Sequence, residues 1–358
     1  MRRGRTLLRV AVSVVLIAWI LRGTDLREVW ATFRTADVRY ILLAIALIPL
    51  GYLSSVSRWR LLLRAQGGDA PYPFLLRSLM TGIFFNNFLP STIGGDAIRA
   101  WDTARSGVGK ATALTIIMVD RFVGLLALLV FAAFGLLGAG RLAERVPEVG
   151  WWVLGVGGVM VVVAVVLFWP RAHPGLKPGA KELPSLRDGA APPRSLSVPE
   201  GRHSVAPGFN PGNGGIRAKI SQVTAALFAF RGHGRALAGA FFWSLCLQSL
   251  VVLNAWVQAR ALHVDLGLTP FFLIVPLAVF LMMIPVSING IGVRENLFVF
   301  FLAAFGVAEA TGLAFAWLEY GILLLQALAG GLVYVWGRER DVRRVREMRT
   351  QTAEVAAP

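Results

Sequence analysis

The sequence predicts an all-α polytopic membrane protein with a pseudo-inverted repeat, built from six full spans plus two re-entrant broken helices, or from eight spans. Three observations carry this reading. The 358-residue chain is 56% hydrophobic, with a mean hydropathy of +0.64. Several apolar runs approach the ~20 residues a helix needs to cross a bilayer. A polar decamer bearing glycine and proline also occurs twice, each time behind a shorter apolar run. A soluble fold does not fit such a composition.

The spans follow in order. The run at 7–21 stands behind the basic cluster "MRRGR" and lacks a small-residue cleavage site, which favours a retained span over a signal peptide. Further spans are expected at 40–57, 112–137, 151–169, 236–257 and 311–336. Between them lie two shorter stretches, 74–89 and 270–285, each running directly into glycine-rich polar sequence as a half-helix would. The resulting organisation is a first membrane half at 1–170 with a re-entrant motif at 84–101, and a second at 216–337 with its motif at 282–296. Between the halves, 171–215 is rich in Pro, Gly and Ala and poor in aromatics, so it reads as a disordered cytoplasmic linker. Residues 338–358 form a basic cytoplasmic tail.

Charge chooses between the topologies. Six spans with two re-entrant loops put both termini and the 170–235 segment in the cytoplasm. That segment carries ten Lys and Arg against three acids, as the positive-inside rule asks, whereas eight spans would move it outside. The formal net charge of +16 is spread between the apolar runs and at the termini, so it describes basic loops and not a nucleic-acid surface. The single cysteine, Cys246, lies in an apolar run and allows no intramolecular disulfide. His173, His203, His233 and His263 lack metal-ligand spacing, and neither a metal nor a cofactor is expected.

The repeat is the most informative feature. From Pro90 the chain reads "PSTIGGDAIR", and from Pro285 it reads "PVSINGIGVR", the two sharing Pro, Ser/Thr, Ile, Gly, Ile/Val and Arg at equal spacing. Three complete spans separate the copies, so they would enter the membrane from opposite sides. Interrupted segments at matching places in two halves point to the substrate site of an inverted-repeat transporter. Unpaired backbone costs several kcal/mol per group in lipid, so broken helices survive only beneath protein or a watery cavity. Pro90 and Pro285 break the helix, while Gly94, Gly95, Gly290 and Gly292 allow tight turns. Asp96, Arg99, Arg294 and Glu295 should then face a cavity and find partners there. Two arginines beside two helix ends suit an anion such as a lipid phosphate. The competing reading makes both motifs interfacial turns whose arginines anchor helices to headgroups.

Three further sites stand inside spans. Asp120 and Arg121 either contact the first motif or snorkel to the interface, and Glu319 serves a proton relay or pairs with an arginine. Asn86 and Asn87 either line the cavity or tie helices together. The stretch "ARSGVGKAT" at 104–112 has Ala where a phosphate loop needs its first Gly and again where it needs Ser/Thr, so no ATPase site is expected.

"NNFLPSTIGGDAIRAW", "VDRFVGLLALL" and "IPVSINGIGVRENLF", in that order, resemble the flippase-like, lysylphosphatidylglycerol synthase transmembrane-domain family over roughly residues 10–336. The resemblance implies a bacterial or archaeal inner-membrane protein that carries the membrane region without a fused synthase. Position by position it points to Asn87, Pro90, Gly94, Gly95, Arg99, Arg121, Pro285, Gly290, Gly292, Arg294 and Glu295. The chain departs from the family at Asp120, where Glu is common, at Gly124, where an acid is common, and around Glu319 and Tyr320, where a Tyr-Arg pair is common. The function expected is translocation of an anionic lipid or lipid-linked sugar. The alternatives are a non-transporting subunit that scaffolds a separate synthase or glycosyltransferase, and a membrane-embedded transferase, for which no catalytic motif is present.

Overall fold

The computed structural model describes residues 25–88, 94–138, 155, 230, 232–283, 287 and 290–355. The expected span at 7–21, that at 151–169 except for residue 155, the linker at 171–215, and Pro90 and Pro285 lie outside these residues. Among the described residues all regular structure is helical. The first half contributes α1 (Leu26–Arg34), α2 (Val38–Ala65), α3 (Tyr72–Phe88), α4 (Gly94–Ala104) and α5 (Lys110–Gly138). The second contributes α6 (Gly234–Ala261), α7 (Phe271–Met282), α8 (Val293–Ala304) and α9 (Glu309–Val355).

Four of these, α2, α5, α6 and the Glu309–Gly337 part of α9, are long and apolar enough to cross a membrane. Each coincides with an expected span. Their outer faces carry Leu42, Leu50, Phe134, Leu325 and Leu332 in the open, which suits a lipid solvent and not water. The expected half-helices are short in the structure. At 1.5 Å per residue, the 17 residues of α3 and the 12 of α7 reach only about 25 and about 18 Å, against a hydrocarbon core of about 30 Å.

Capping sets the boundaries near α1 and α2. Asp25 and Asp37 accept from the N–H groups of Arg27 and Arg39 at 2.8 and 2.9 Å, satisfying donors that a helix start leaves unpaired. The α8 start is different: Gly292, at φ +83°, supplies a turn that a side chain would strain, and Glu295 reaches back to accept from its N–H at 2.7 Å.

Several helix lengths agree between the halves, although α3 has 17 residues and α7 has 12. α2 and α6 both have 28 residues, α4 and α8 have 11 and 12, and α5 and the apolar part of α9 have 29 each. Packing repeats as well: α3 lies on α9 as α7 lies on α5, and α4 on α5 as α8 on α9. A Cβ added at Gly330 would strike the Met80 carbonyl, and one at Gly135 would strike the Phe272–Leu273 backbone, so both cross-half contacts rely on a missing side chain.

At the centre α2 and α6 cross in antiparallel fashion. Asn254 Nδ2 donates to the Ala44 carbonyl at 2.6 Å, Gly51 faces Leu247, and Arg58 Nη1 donates to Ser244 Oγ at 2.9 Å, so positions rise on one helix as they fall on the other. The C-terminus of α2 and the N-terminus of α6 therefore share one end of the molecule. That end carries Arg60, Arg64, Arg105, Lys110 and Arg235 against Asp69 and Asp102. The opposite end, where the Asp37 N–H donates to the Ala261 carbonyl at 2.8 Å, carries Asp25, Glu28, Asp37, Asp265 and Glu309 against Arg27, Arg34, Arg39 and Arg260.

Candidate functional site

The first motif folds back on its own half-helix. The Gly95 N–H donates to Asn86 Oδ1 at 2.8 Å, and a Cβ at Gly82 would lie 3.2 Å from the Gly95 carbonyl oxygen and 3.6 Å from Arg99 Cγ. Residue 86 thus meets 95, and 82 meets 99, which makes α3 and α4 a helical hairpin. Asn87 does not take part in that contact, its Nδ2 donating to the Ile83 carbonyl at 3.0 Å.

From the returning arm Arg99 enters a buried cluster. Asp120 on α5 accepts from Arg58 Nε at 2.6 Å through one oxygen and from Arg99 Nη2 at 3.1 Å through the other. All three side chains are buried, and the Arg99 guanidinium stacks on Trp59 with its carbon 4.4 Å from the ring centre. Trp59 Nε1 donates to Thr103 Oγ1 at 3.1 Å, and that hydroxyl donates to the Arg99 carbonyl at 2.6 Å, so the platform is tied to the helix that carries the arginine. Gly124 faces Arg58, a Cβ there lying 3.2 Å from Nη1. Next to the cluster and more exposed, Arg121 grips Asp96 with both ends of its fork, at 2.7 and 3.1 Å. Asp120 and Arg121 therefore both contact the first motif, through Arg99 and Asp96 on α4.

The second motif builds a counterpart. The Arg294 N–H donates to the Gly290 carbonyl at 2.8 Å, Gly290 itself having φ +76°. Arg294 Nε lies 3.3 Å from Glu319 Oε2, at ion-pair distance but outside hydrogen-bond geometry, and its guanidinium carbon is 5.0 Å from the Tyr320 ring centre. Asp120 and Glu319 are each the eleventh residue of their helix, and each meets the arginine that ends its own motif. The two pairs differ in saturation. Asp120 is wrapped by two arginines, while Glu319 has one partner and a share of exposed surface.

Between the halves lies a cavity of about 330 Å³. α2 and α6 form two of its walls, α3 and α7 close two more, and Phe298, Glu319 and Gln326 complete it. Its surface is mainly Leu, Ile, Val and Phe, with Tyr52, Ser55, Asn254, Gln258, Glu319 and Gln326 as the polar groups. Tyr52 OH donates to Gln326 Oε1 at 2.9 Å across the wall. Of the residues singled out in the sequence, Glu319 lines this space, while Arg99 and Arg294 are buried in ion pairs, Arg294 with Glu319 itself. Arg58, Tyr52, Asn254 and Gln258 were not expected. Asn254 and Gln258 did leave a signal, two amides one helical turn apart inside an apolar run. Among the described residues no cluster of His, Cys, Asp and Glu suits a metal ion.

The family model described as lysylphosphatidylglycerol synthase TM region matches residues 6–330. A UPF0104 membrane protein of Pyrococcus horikoshii is 23% identical over 163 residues, 45% of this chain and 48% of that protein. A UPF0104 membrane protein of Methanothermobacter thermautotrophicus is 26% identical over 263 residues, 70% of this chain and 69% of that protein. The matches thus span about half and about two thirds of those relatives' lengths. No solved structure matches. With a family model that takes in nearly the whole chain and helices that fit a bilayer, this is a membrane protein of the lysylphosphatidylglycerol synthase transmembrane-region family.

Proposed function

We propose that the protein is a flippase-like translocator that moves an anionic lipid or lipid-linked sugar across the cell membrane. The observation that carries this reading is the cavity, walled by α2 and α3 from one half and α6 and α7 from the other, with α2 and α6 crossing in antiparallel fashion. A two-fold axis relating antiparallel helices is perpendicular to them, so the halves would be inverted across the bilayer, as alternating access requires. The partner is a membrane lipid, and Arg294 stands behind Glu319 of the cavity wall, with an Nε that makes no hydrogen bond. By the positive-inside rule the basic end faces the cytoplasm. Both termini lie on that side. Transport is downhill, ion-coupled or driven by a partner, and a separate synthase would supply the lipid.

The test is lipid movement in vesicles reconstituted with the full chain, using fluorescent phosphatidylglycerol and a fluorescent glycolipid quenched from outside by an impermeant reductant. Quenching beyond the outer-leaflet share is expected. A plateau equal to that of protein-free vesicles for both lipids would remove the reading.

A further inference from the structure

We infer that the central cavity holds an uncharged, hydroxyl-rich group, the sugar or polyol end of a lipid, and not the lipid's anion. This inference rests on the translocator reading for its substrate, but it concerns binding alone. The argument is an account of donors and acceptors. Asn254 Nδ2 donates to the Ala44 carbonyl at 2.6 Å, and because a carbonyl only accepts, the orientation of that amide is fixed. Its Oδ1 must therefore accept, which it does from Gln258 Nε2 at 2.6 Å, and this leaves Gln258 Oε1 as the free end. Tyr52 likewise spends its hydroxyl proton on Gln326.

Two acceptors remain without a hydrogen bond, Gln258 Oε1 and Glu319 Oε2, and both residues line this one cavity. Gln258 is only 3% exposed. A buried acceptor left unpaired costs about 1–3 kcal/mol, so the site favours an occupant that brings donors. The sign of the occupant's charge follows from the wall. Among the described residues no Lys, Arg or His lines the cavity, so an anion would enter there without a direct partner. The one carboxylate, Glu319, already has Arg294 at 3.3 Å, which reduces the pull on a cation. Hydroxyls fit both conditions. The volume of about 330 Å³ lies at the lower end of small-molecule sites, roughly 300–1,000 Å³, which suits a headgroup and not a whole lipid.

The test uses the full chain in a sugar-free detergent and calorimetric titration with three short-chain lipids: a neutral monoglycosyl diacylglycerol, phosphatidic acid as an anion poor in donors, and a trimethylammonium lipid as a cation without donors. The glycolipid should bind at least tenfold more tightly than either of the others. Gln258→Leu, which keeps the volume and removes the acceptor, should weaken glycolipid binding about tenfold. Ser78→Ala should leave it unchanged, since the unpaired Ser78 hydroxyl lies off the cavity wall. Equal or tighter binding of phosphatidic acid or of the trimethylammonium lipid by the unaltered protein overturns the inference, as does absence of glycolipid binding, which would mean a cavity filled by water. These outcomes need no variant to fold. A protein that binds glycolipid but moves no lipid defeats the translocator reading and leaves this one standing.

Discussion

At the scale of single residues, the decisive fact is that Asp120 serves two arginines. Removing one member of a buried ion pair typically costs about 3–5 kcal/mol, because the partner is left charged in a poor solvent. Asp120→Asn strands both Arg58 and Arg99, whereas Arg58→Gln still leaves Asp120 paired with Arg99. The Asn variant should therefore melt at a clearly lower temperature than the Gln variant in detergent, and the reverse order would dissolve the cluster as described. Outside the spans, Asp69 accepts from Arg64 and Arg60 at 3.0–3.5 Å, and these hydrogen bonds hold its carboxyl well below the usual carboxylate range. A depressed carboxyl contributes stability above its unfolded pKa, about 3.9, and loses it only as acid drives the pH through the lower folded value. The melting difference between the wild type and Asp69→Asn should accordingly stay flat from pH 5 to 8. A difference that vanishes near pH 6 would contradict this assignment.

At the scale of elements, glycine decides how closely the arms of the first motif pack. A Cβ at Gly95 would meet the Gly82 carbonyl and the Asn86 amide, whose Nδ2 would be 2.6 Å away, while one at Gly321 on α9 would meet nothing within 4 Å. Gly95→Ala should open the α3–α4 hairpin and lower the melting temperature. Gly321→Ala should leave it unchanged or raise it, since alanine is favoured over glycine in a helix interior by about 1 kcal/mol. These elements were readable in the sequence because apolar length and Gly/Pro interruption are local signals. The four described spans fall where hydropathy put them, and α3 and α7 occupy the expected half-helix stretches ahead of the two decamers. The cluster was readable only in part. Arg99, Asp120 and Arg294 stood out as charges in apolar surroundings, but Arg58 sits at the edge of its expected span, where an arginine ordinarily reaches the interface. Its burial depends on Ser244, which is 186 residues away, and no local pattern contains that contact.

At the scale of the whole molecule, the buried charges of the two halves are unequal. Arg58 and Arg99 outnumber Asp120 in the first half, while Glu295 and Glu319 outnumber Arg294 in the second. If the halves are inverted, the hairpin tips reach toward the bilayer middle from opposite sides. Asn87, near the tip of α3, and Ser287, in the second break, then belong to opposite entrances. The test places a single cysteine at each in a Cys246→Ala background and labels intact cells and inverted vesicles with an impermeant maleimide. Asn87→Cys should react from the side of the basic end, and Ser287→Cys from the other. Reaction of both from the same side would mean that the repeated sequence does not reflect an inverted fold, and the cavity would then need another explanation than alternating access.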